Sequence, residues 1–173
     1  MKNLIIASVL ALSAPITASA ADWNGGYAGV QLGYGWGDAS GTSGDGMIGG
    51  VHAGFLSDMG TFVVGGEIDY DTADISFGGT DLIDSVARLK LKAGTEMGQT
   101  LVYGTVGAAY ATANLGGTAY NDTGWLIGIG ADTFVSDVVT VGAELLYHDF
   151  QEFDTSGVDV TATTLALRVS YHF

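Results

Sequence analysis

The chain has 173 residues, enough for one domain, with 28 glycines, a single proline and no cysteine. It is 47% hydrophobic and 14% charged, which excludes a disordered chain, and the missing cysteines exclude a disulfide scaffold or a thiolate metal site. Acids outnumber bases 19 to 5, so the surface repels phosphate backbones and nucleic-acid binding is excluded.

Met1-Lys2-Asn3 is a short positive segment, Leu4 to Leu12 an apolar run, and Ala18-Ser19-Ala20 a small-residue cleavage site. Together they predict a secretory signal peptide over residues 1–20, cut between Ala20 and Ala21, followed by one domain over residues 21–173. Pro15 and the shortness of the apolar run argue against a membrane anchor, which needs about 20 apolar residues. Loss of residues 1–20 removes Lys2 and no acid, leaving 19 acids against four bases. No later segment is apolar for long enough to form a spanning helix.

Beyond Asp22 apolar residues recur with period two, the signature of strands. In the first, from Tyr27, Ala28, Val30, Leu32, Tyr34 and Trp36 share one face, and Gly29, Gln31, Gly33 and Gly35 the other. Residues 46–56 set Met47, Val51, Ala53 and Phe55 against Gly50, His52 and Gly54. Residues 61–73 set Phe62, Val64, Ile68 and Tyr70 against Glu67, Asp69 and Asp71. Residues 84–94 set Ala87, Leu89, Leu91 and Ala93 against Arg88, Lys90 and Lys92. In residues 101–113 both parities are small or apolar, and Val102, Val106, Ala108 and Tyr110 are taken as the outer face. Residues 123–134 set Trp125, Ile127, Ile129 and Ala131 against Gly128, Gly130 and Asp132. Residues 138–149 set Val139, Val141, Ala143, Leu145 and Tyr147 against Glu144 and His148. Residues 160–173 set Leu165, Leu167, Val169, Tyr171 and Phe173 against Arg168 and His172.

Short turns at 57–60, 95–100 and 136–137 alternate with longer Gly-, Asp-, Ser- and Thr-rich segments at 37–45, 74–83, 114–122 and 150–159. The expected fold is all-β: a transmembrane antiparallel up-and-down β-barrel of about eight strands, each of about 11 residues. A soluble sandwich also alternates, but here the four remaining bases all fall on the glycine-rich face and none on the apolar one. Tyr27, Tyr34, Trp36, Tyr70, Tyr110, Trp125, Tyr147, Tyr171 and Phe173 sit near strand ends, as interfacial girdles require.

Several stretches resemble the small outer-membrane barrels of alphaproteobacteria, the porin-like or surface-antigen barrels distantly related to OmpA and OmpX. Trp23-Asn24-Gly25-Gly26-Tyr27-Ala28-Gly29 with Gly33-Tyr34-Gly35-Trp36-Gly37 resembles their opening strand, and Gly66-Glu67-Ile68-Asp69-Tyr70 their third. Glu144-Leu145-Leu146-Tyr147 resembles the seventh, and Arg168-Val169-Ser170-Tyr171-His172-Phe173 the closing strand. The resemblance implies an eight-stranded barrel in the outer membrane of a Gram-negative bacterium, with Phe173 read by the barrel-assembly machinery. It implies no single activity.

Position sums place Glu67, Asp69 and Asp71 directly across from Lys92, Lys90 and Arg88, each pair summing to 159, with Asp132, Glu144 and Arg168 as a second group. An ion path and a structural network filling a narrow interior are the two readings, and the network is preferred because buried charge must be paired. Ser170 and His172 share a face but stand about 7 Å apart along the strand, and no orienting third group follows, so no catalytic residue is assigned. The loop acids Asp38, Asp45, Asp74, Asp81, Asp122, Glu152 and Asp154 match no calcium loop and read as solvated. The reading is therefore a structural or surface-interaction barrel without cofactor or metal, with a low-conductance channel and a lipid-modifying enzyme as alternatives. Its partners are outer-membrane lipid and lipopolysaccharide, the assembly machinery, and an extracellular ligand the sequence does not name.

Protein recovered from the outer membrane is expected to begin at Ala21 by N-terminal sequencing. A chain that retains residues 1–20 there would contradict the signal reading.

Overall fold

The computed structural model describes residues 21–39, 42–77, 80–115, 118–150 and 160–173, and no side chains at 39–42, 73–84, 113–122 or 151–160. The expected signal peptide and most of the 150–159 connection therefore lie outside the described residues, as do the side chains of Asp74, Asp81, Asp122, Glu152 and Asp154.

Eight strands follow one another: β1 (Gly25–Ala39), β2 (Thr42–Asp58), β3 (Val63–Phe77), β4 (Thr80–Met97), β5 (Thr100–Leu115), β6 (Thr118–Ser136), β7 (Val139–Phe150) and β8 (Val160–His172). Each pairs antiparallel with its neighbours, and β8 closes on β1. Closure leaves no strand edge unpaired, which a lipid environment demands. Followed from Tyr27 through Gly54, Glu67, Lys90, Gly107, Leu126, His148 and Ala162, the paired row returns to β1 at Gly37, ten residues beyond its start. That stagger tilts the strands and gives a barrel whose bore side chains can fill.

The facing of every strand follows the period-two pattern, including β5, where Val102, Val106 and Tyr110 are exposed and Leu101, Tyr103 and Ala109 buried. Exposed aliphatic side chains form a band between two aromatic rings. One ring, near the termini, holds Phe55, Phe62, Tyr171 and Phe173; the other holds Tyr34, Trp36, Tyr70, Tyr110, Trp125 and Tyr147. Such a band costs nothing in lipid and a great deal in water.

Three expectations are corrected. The strands run to 12–19 residues instead of about 11, because segments 37–45, 74–83 and 114–122 are mostly hairpin extensions. Ladder bonding continues where lipid no longer imposes an apolar face, so the alternation fades before the strand does. Tyr27 points into the barrel and not to a girdle; its parity matches Gly29 and Gln31. And β3 pairs β4 two residues out of the expected register: Glu67 faces Lys90, Asp69 faces Arg88, and Gly65 faces Lys92. A shift of two preserves every facing, so alternation does not detect it.

The turn between β4 and β5 is only Gly98-Gln99, with Gly98 at φ 72°, a conformation that favours glycine in two-residue hairpins.

The register is open to a direct check. Cysteines replacing Ile68 and Leu89, which face each other on the lipid side, should form a disulfide in the otherwise cysteine-free chain. Cysteines at Ile68 and Leu91, a diagonal pair about 7–8 Å apart, should not. Crosslinking of the second pair and not the first would restore the sum-159 register.

Candidate functional site, a lumenal ionic network

The barrel interior is layered. Near the termini an apolar cluster of Trp23, Leu56, Val63, Leu101 and Phe134 packs with Tyr27 and Tyr103, and Ala21 leans on it. Trp23 enters from the segment before β1, is 1% exposed, and packs against Phe134 at 4.5 Å between ring centroids, the rings tilted at 53°. Asn24 helps pin that segment by accepting a hydrogen bond from the Asp58 amide at 2.9 Å. Towards the other end Ile48, Val86, Ala109, Ala111, Leu126, Leu146 and Phe150 are buried.

Between these layers lies the charge. All four bases beyond residue 20, Arg88, Lys90, Lys92 and Arg168, are buried. The Lys90 ammonium, fully buried, stands 2.6 Å from Glu67 Oε1, 2.7 Å from Asp69 Oδ2 and 2.6 Å from Glu144 Oε2. Glu67 is the second hub. It also meets Lys92 at 3.0 Å and accepts a bidentate grip from Arg168, whose Nη1 reaches Glu67 Oε1 at 3.0 Å and Glu144 Oε2 at 2.8 Å. The Tyr27 hydroxyl donates to Glu67 Oε2 at 2.6 Å. Further along, Arg88 donates to Asp69 at 2.9 Å, to Asp71, and through Nε to His148 Nε2 at 2.9 Å. Gln31 donates to Asp71 Oδ1 at 2.8 Å. Asp132 is the outlying member, 3.8 Å from Lys92, whose ammonium lies 4.0 Å over the Tyr103 ring.

All nine expected network residues thus gather in the lumen. The acid–base pairs at sum 159 are in ion contact as diagonals, while the direct partners differ. Tyr27, Tyr103, Gln31 and His148 join them unforeseen, although their parity already turned each inward. Ser170 does not pair with His172. Its hydroxyl lies 2.8 Å from His52 Nε2, reached across β1 at Gly29, which pairs with both residues and has no side chain to stand between them, and His172 Nε2 lies 3.2 Å from Thr140 Oγ1 on β7. Glu67, Asp69 and Glu144 are spaced as metal ligands would be, but the Lys90 ammonium fills the point on which they converge.

The inward glycines do not leave a bore. A Cβ on Gly130 would meet the Tyr103 ring at 2.4 Å, one on Gly54 the Tyr27 hydroxyl at 2.5 Å, and one on Gly29 the His52 ring at 2.6 Å. They are small because large neighbours occupy the space.

An apolar belt outside a closed eight-strand barrel with its charges within now meets its relatives. The sequence profile described as Outer membrane protein beta-barrel domain matches residues 4–173. The chain belongs to that family. It is an outer-membrane protein, 30% identical over 233 residues to the 31 kDa outer-membrane immunogenic protein of Brucella melitensis, an alignment spanning 99% of this chain and 96% of that one. It is 28% identical over 168 residues to a 22 kDa outer membrane protein of Rhizobium leguminosarum bv. viciae, covering 88% and 80%. Among solved structures, Neisserial surface protein A superposes with a TM-score of 0.63 at 15% identity, covering 86% of this chain and 97% of that one. Ail, the attachment invasion locus protein of Yersinia pestis, does so at 0.51 and 18%, covering 86% and 99%. At such identities these two establish the barrel fold alone.

Replacing Lys90 with Met removes the cation that Glu67, Asp69 and Glu144 share, leaves the buried network one positive charge short, and should cost this outer-membrane barrel about 3–5 kcal/mol. The check is the denaturant midpoint of the barrel in detergent micelles; a midpoint equal to wild type would contradict the network's energetic role.

Proposed function

We propose that this chain is a non-catalytic structural and surface-interaction barrel, whose interior is a packed core and not a conduit. The observation that carries this is the ionic layer enclosed between two apolar ones. Lys90 and Arg168 crosslink β3, β4, β7 and β8 through Glu67, Asp69 and Glu144, and the Trp23 cluster caps the end nearest the termini. Charges held this tightly to one another serve poorly as stepping sites for a moving ion, which must bind weakly enough to leave. The Ser170–His52 pair lies in the same enclosed interior, out of reach of a lipid substrate.

In this reading residues 1–20 are removed after Ala20, the termini face the periplasm, and Phe173 addresses the chain to the assembly machinery. Ala21 and Trp23 then cap the periplasmic mouth, and lipopolysaccharide surrounds the outer half of the wall. The outer-membrane immunogenic relatives support a role exercised at the cell surface.

Protein purified from outer membranes and inserted in planar lipid bilayers should give no stable unitary current. Large, persistent single-channel steps from a monomer would overturn the packed-core reading in favour of a pore.

A further inference from the structure

The mouth of the barrel nearest the termini is closed by a piece of chain that does not belong to the sheet. Residues 21–24 carry no ladder pairing. Trp23 nevertheless lies 1% exposed in a seat made by Leu56, Val63, Leu101, Tyr103 and Phe134, with the His172 ring edge-on at 5.8 Å between centroids. These seat residues stand on strands β2, β3, β5, β6 and β8 or at their ends, so the closed barrel builds the seat without help from the segment that fills it.

Packing is most of what holds the segment there. Among the described residues one hydrogen bond ties it to a strand, donated by the Asp58 amide to Asn24 Oδ1 at 2.9 Å. The backbone and side-chain nitrogens of Asn24 donate back to Asp22 Oδ1, within the segment. The Trp23 Nε1–H is buried and meets no acceptor among the described residues. That unmade bond penalises the seated indole and not a withdrawn one, to which water offers an acceptor. Charge acts in the same direction. Glu96, one residue from the end of β4, feels the like charges of Asp58 on β2 and of Asp22 on the segment.

The segment joins the sheet through a swivel. Gly26 is fixed to the closing strand by the bond from the Phe173 amide to its carbonyl at 2.9 Å. Immediately before it Gly25, paired with Leu56 alone, lies at φ 118°, outside any turn, and a Cβ there would meet the Phe173 carbonyl oxygen at 2.8 Å. Only glycine occupies such a position freely. Its backbone latitude lets the four residues before it move together.

We propose that residues 21–24 form a hinged stopper, turning at Gly25, that seats Trp23 in the barrel mouth and withdraws it while the barrel stays closed. Withdrawal uncovers the apolar seat and admits water to the end of the ionic network where Lys92 lies over the Tyr103 ring and beside Asp132. The inference goes beyond the packed-core reading and does not depend on it. With the stopper out, Lys90, Arg168 and their acids still cross the bore.

The test follows hydrogen exchange of the Trp23 indole N–H by nitrogen-15 NMR, on the barrel purified in dodecyl maltoside, against the backbone amides of Lys90 and Leu126 in the ladder. Trp23→Phe assigns the signal, and heat-dependent mobility on detergent gels verifies that each variant is folded. Corrected for intrinsic rates, indole exchange at least about a hundredfold faster than the ladder amides, and unchanged by low urea, is expected of a local opening. Asn24→Ala, which removes the tie to Asp58, should speed it about fivefold. Glu96→Gln, which removes a like charge from the wall without touching the segment, should slow it about twofold. The ladder amides should change in neither variant. Indole exchange no faster than the ladder amides, or insensitive to both variants, overturns the proposal, because Trp23 would then leave its seat only when the barrel unfolds. So does an Asn24→Ala effect shared equally by the ladder amides.

Discussion

The structure depends on one ammonium group. Lys90 sits fully buried at the middle of a closed barrel, within 2.7 Å of carboxylate oxygens on Glu67, Asp69 and Glu144. Removing such an ion from water costs several kcal/mol even after relaxation, and that loss is recovered only when every partner is in place. The three acids come from β3 and β7, while Lys90 comes from β4, so the pairing works only when the sheet has curled far enough to bring β7 across to β4. Pairing and closure therefore require each other. Arg168 extends the same bond network to β8, the strand that completes the cylinder.

Around that centre the usual order of a soluble protein is inverted. Leu89 and Leu91, on either side of Lys90 in sequence, are exposed, while Lys90 itself is not. In water this strand would be unstable twice over; in a bilayer the aliphatic face is solvated by lipid and the charges by one another. The two apolar layers that bracket the charges keep the local dielectric low, which strengthens each ion contact and raises the penalty for breaking one. Large interior side chains are admitted by glycines opposite them, as Gly130 admits Tyr103 and Gly54 admits Tyr27.

How much of this the sequence disclosed follows from what period two can report. Facing was legible for seven strands, because lipid rewards an apolar side chain at every second position; in β5 both parities are small or apolar, and the sequence only leaned towards the outer face that the structure shows. Register was not. Lys and Arg are long enough to reach an acid directly opposite or one pair away, so Glu67 satisfies both Lys90 and Lys92, and a two-residue slip leaves the charges equally matched. The lengths of β1 and β2 were hidden because Asp38, Ser43 and Asp45 lie where the wall meets headgroups, and polar residues there look like a loop. Tyr27 was misplaced by its position near a strand end, although its parity with Gln31 pointed inward. Trp23 precedes the first strand, and no alternation exists there to orient it.

The central claim is that Lys90 holds the interior together as a buried, desolvated cation. Nitrogen-15 NMR of the barrel labelled at lysine Nζ, with carbon-13 at the carboxylates, reads this directly. The account predicts a Lys90 ammonium signal protected from exchange with water and correlated with the carboxyl carbons of Glu67, Asp69 and Glu144. An ammonium that exchanges as fast as a free lysine, or that shows no contact with those three carbons, would contradict it.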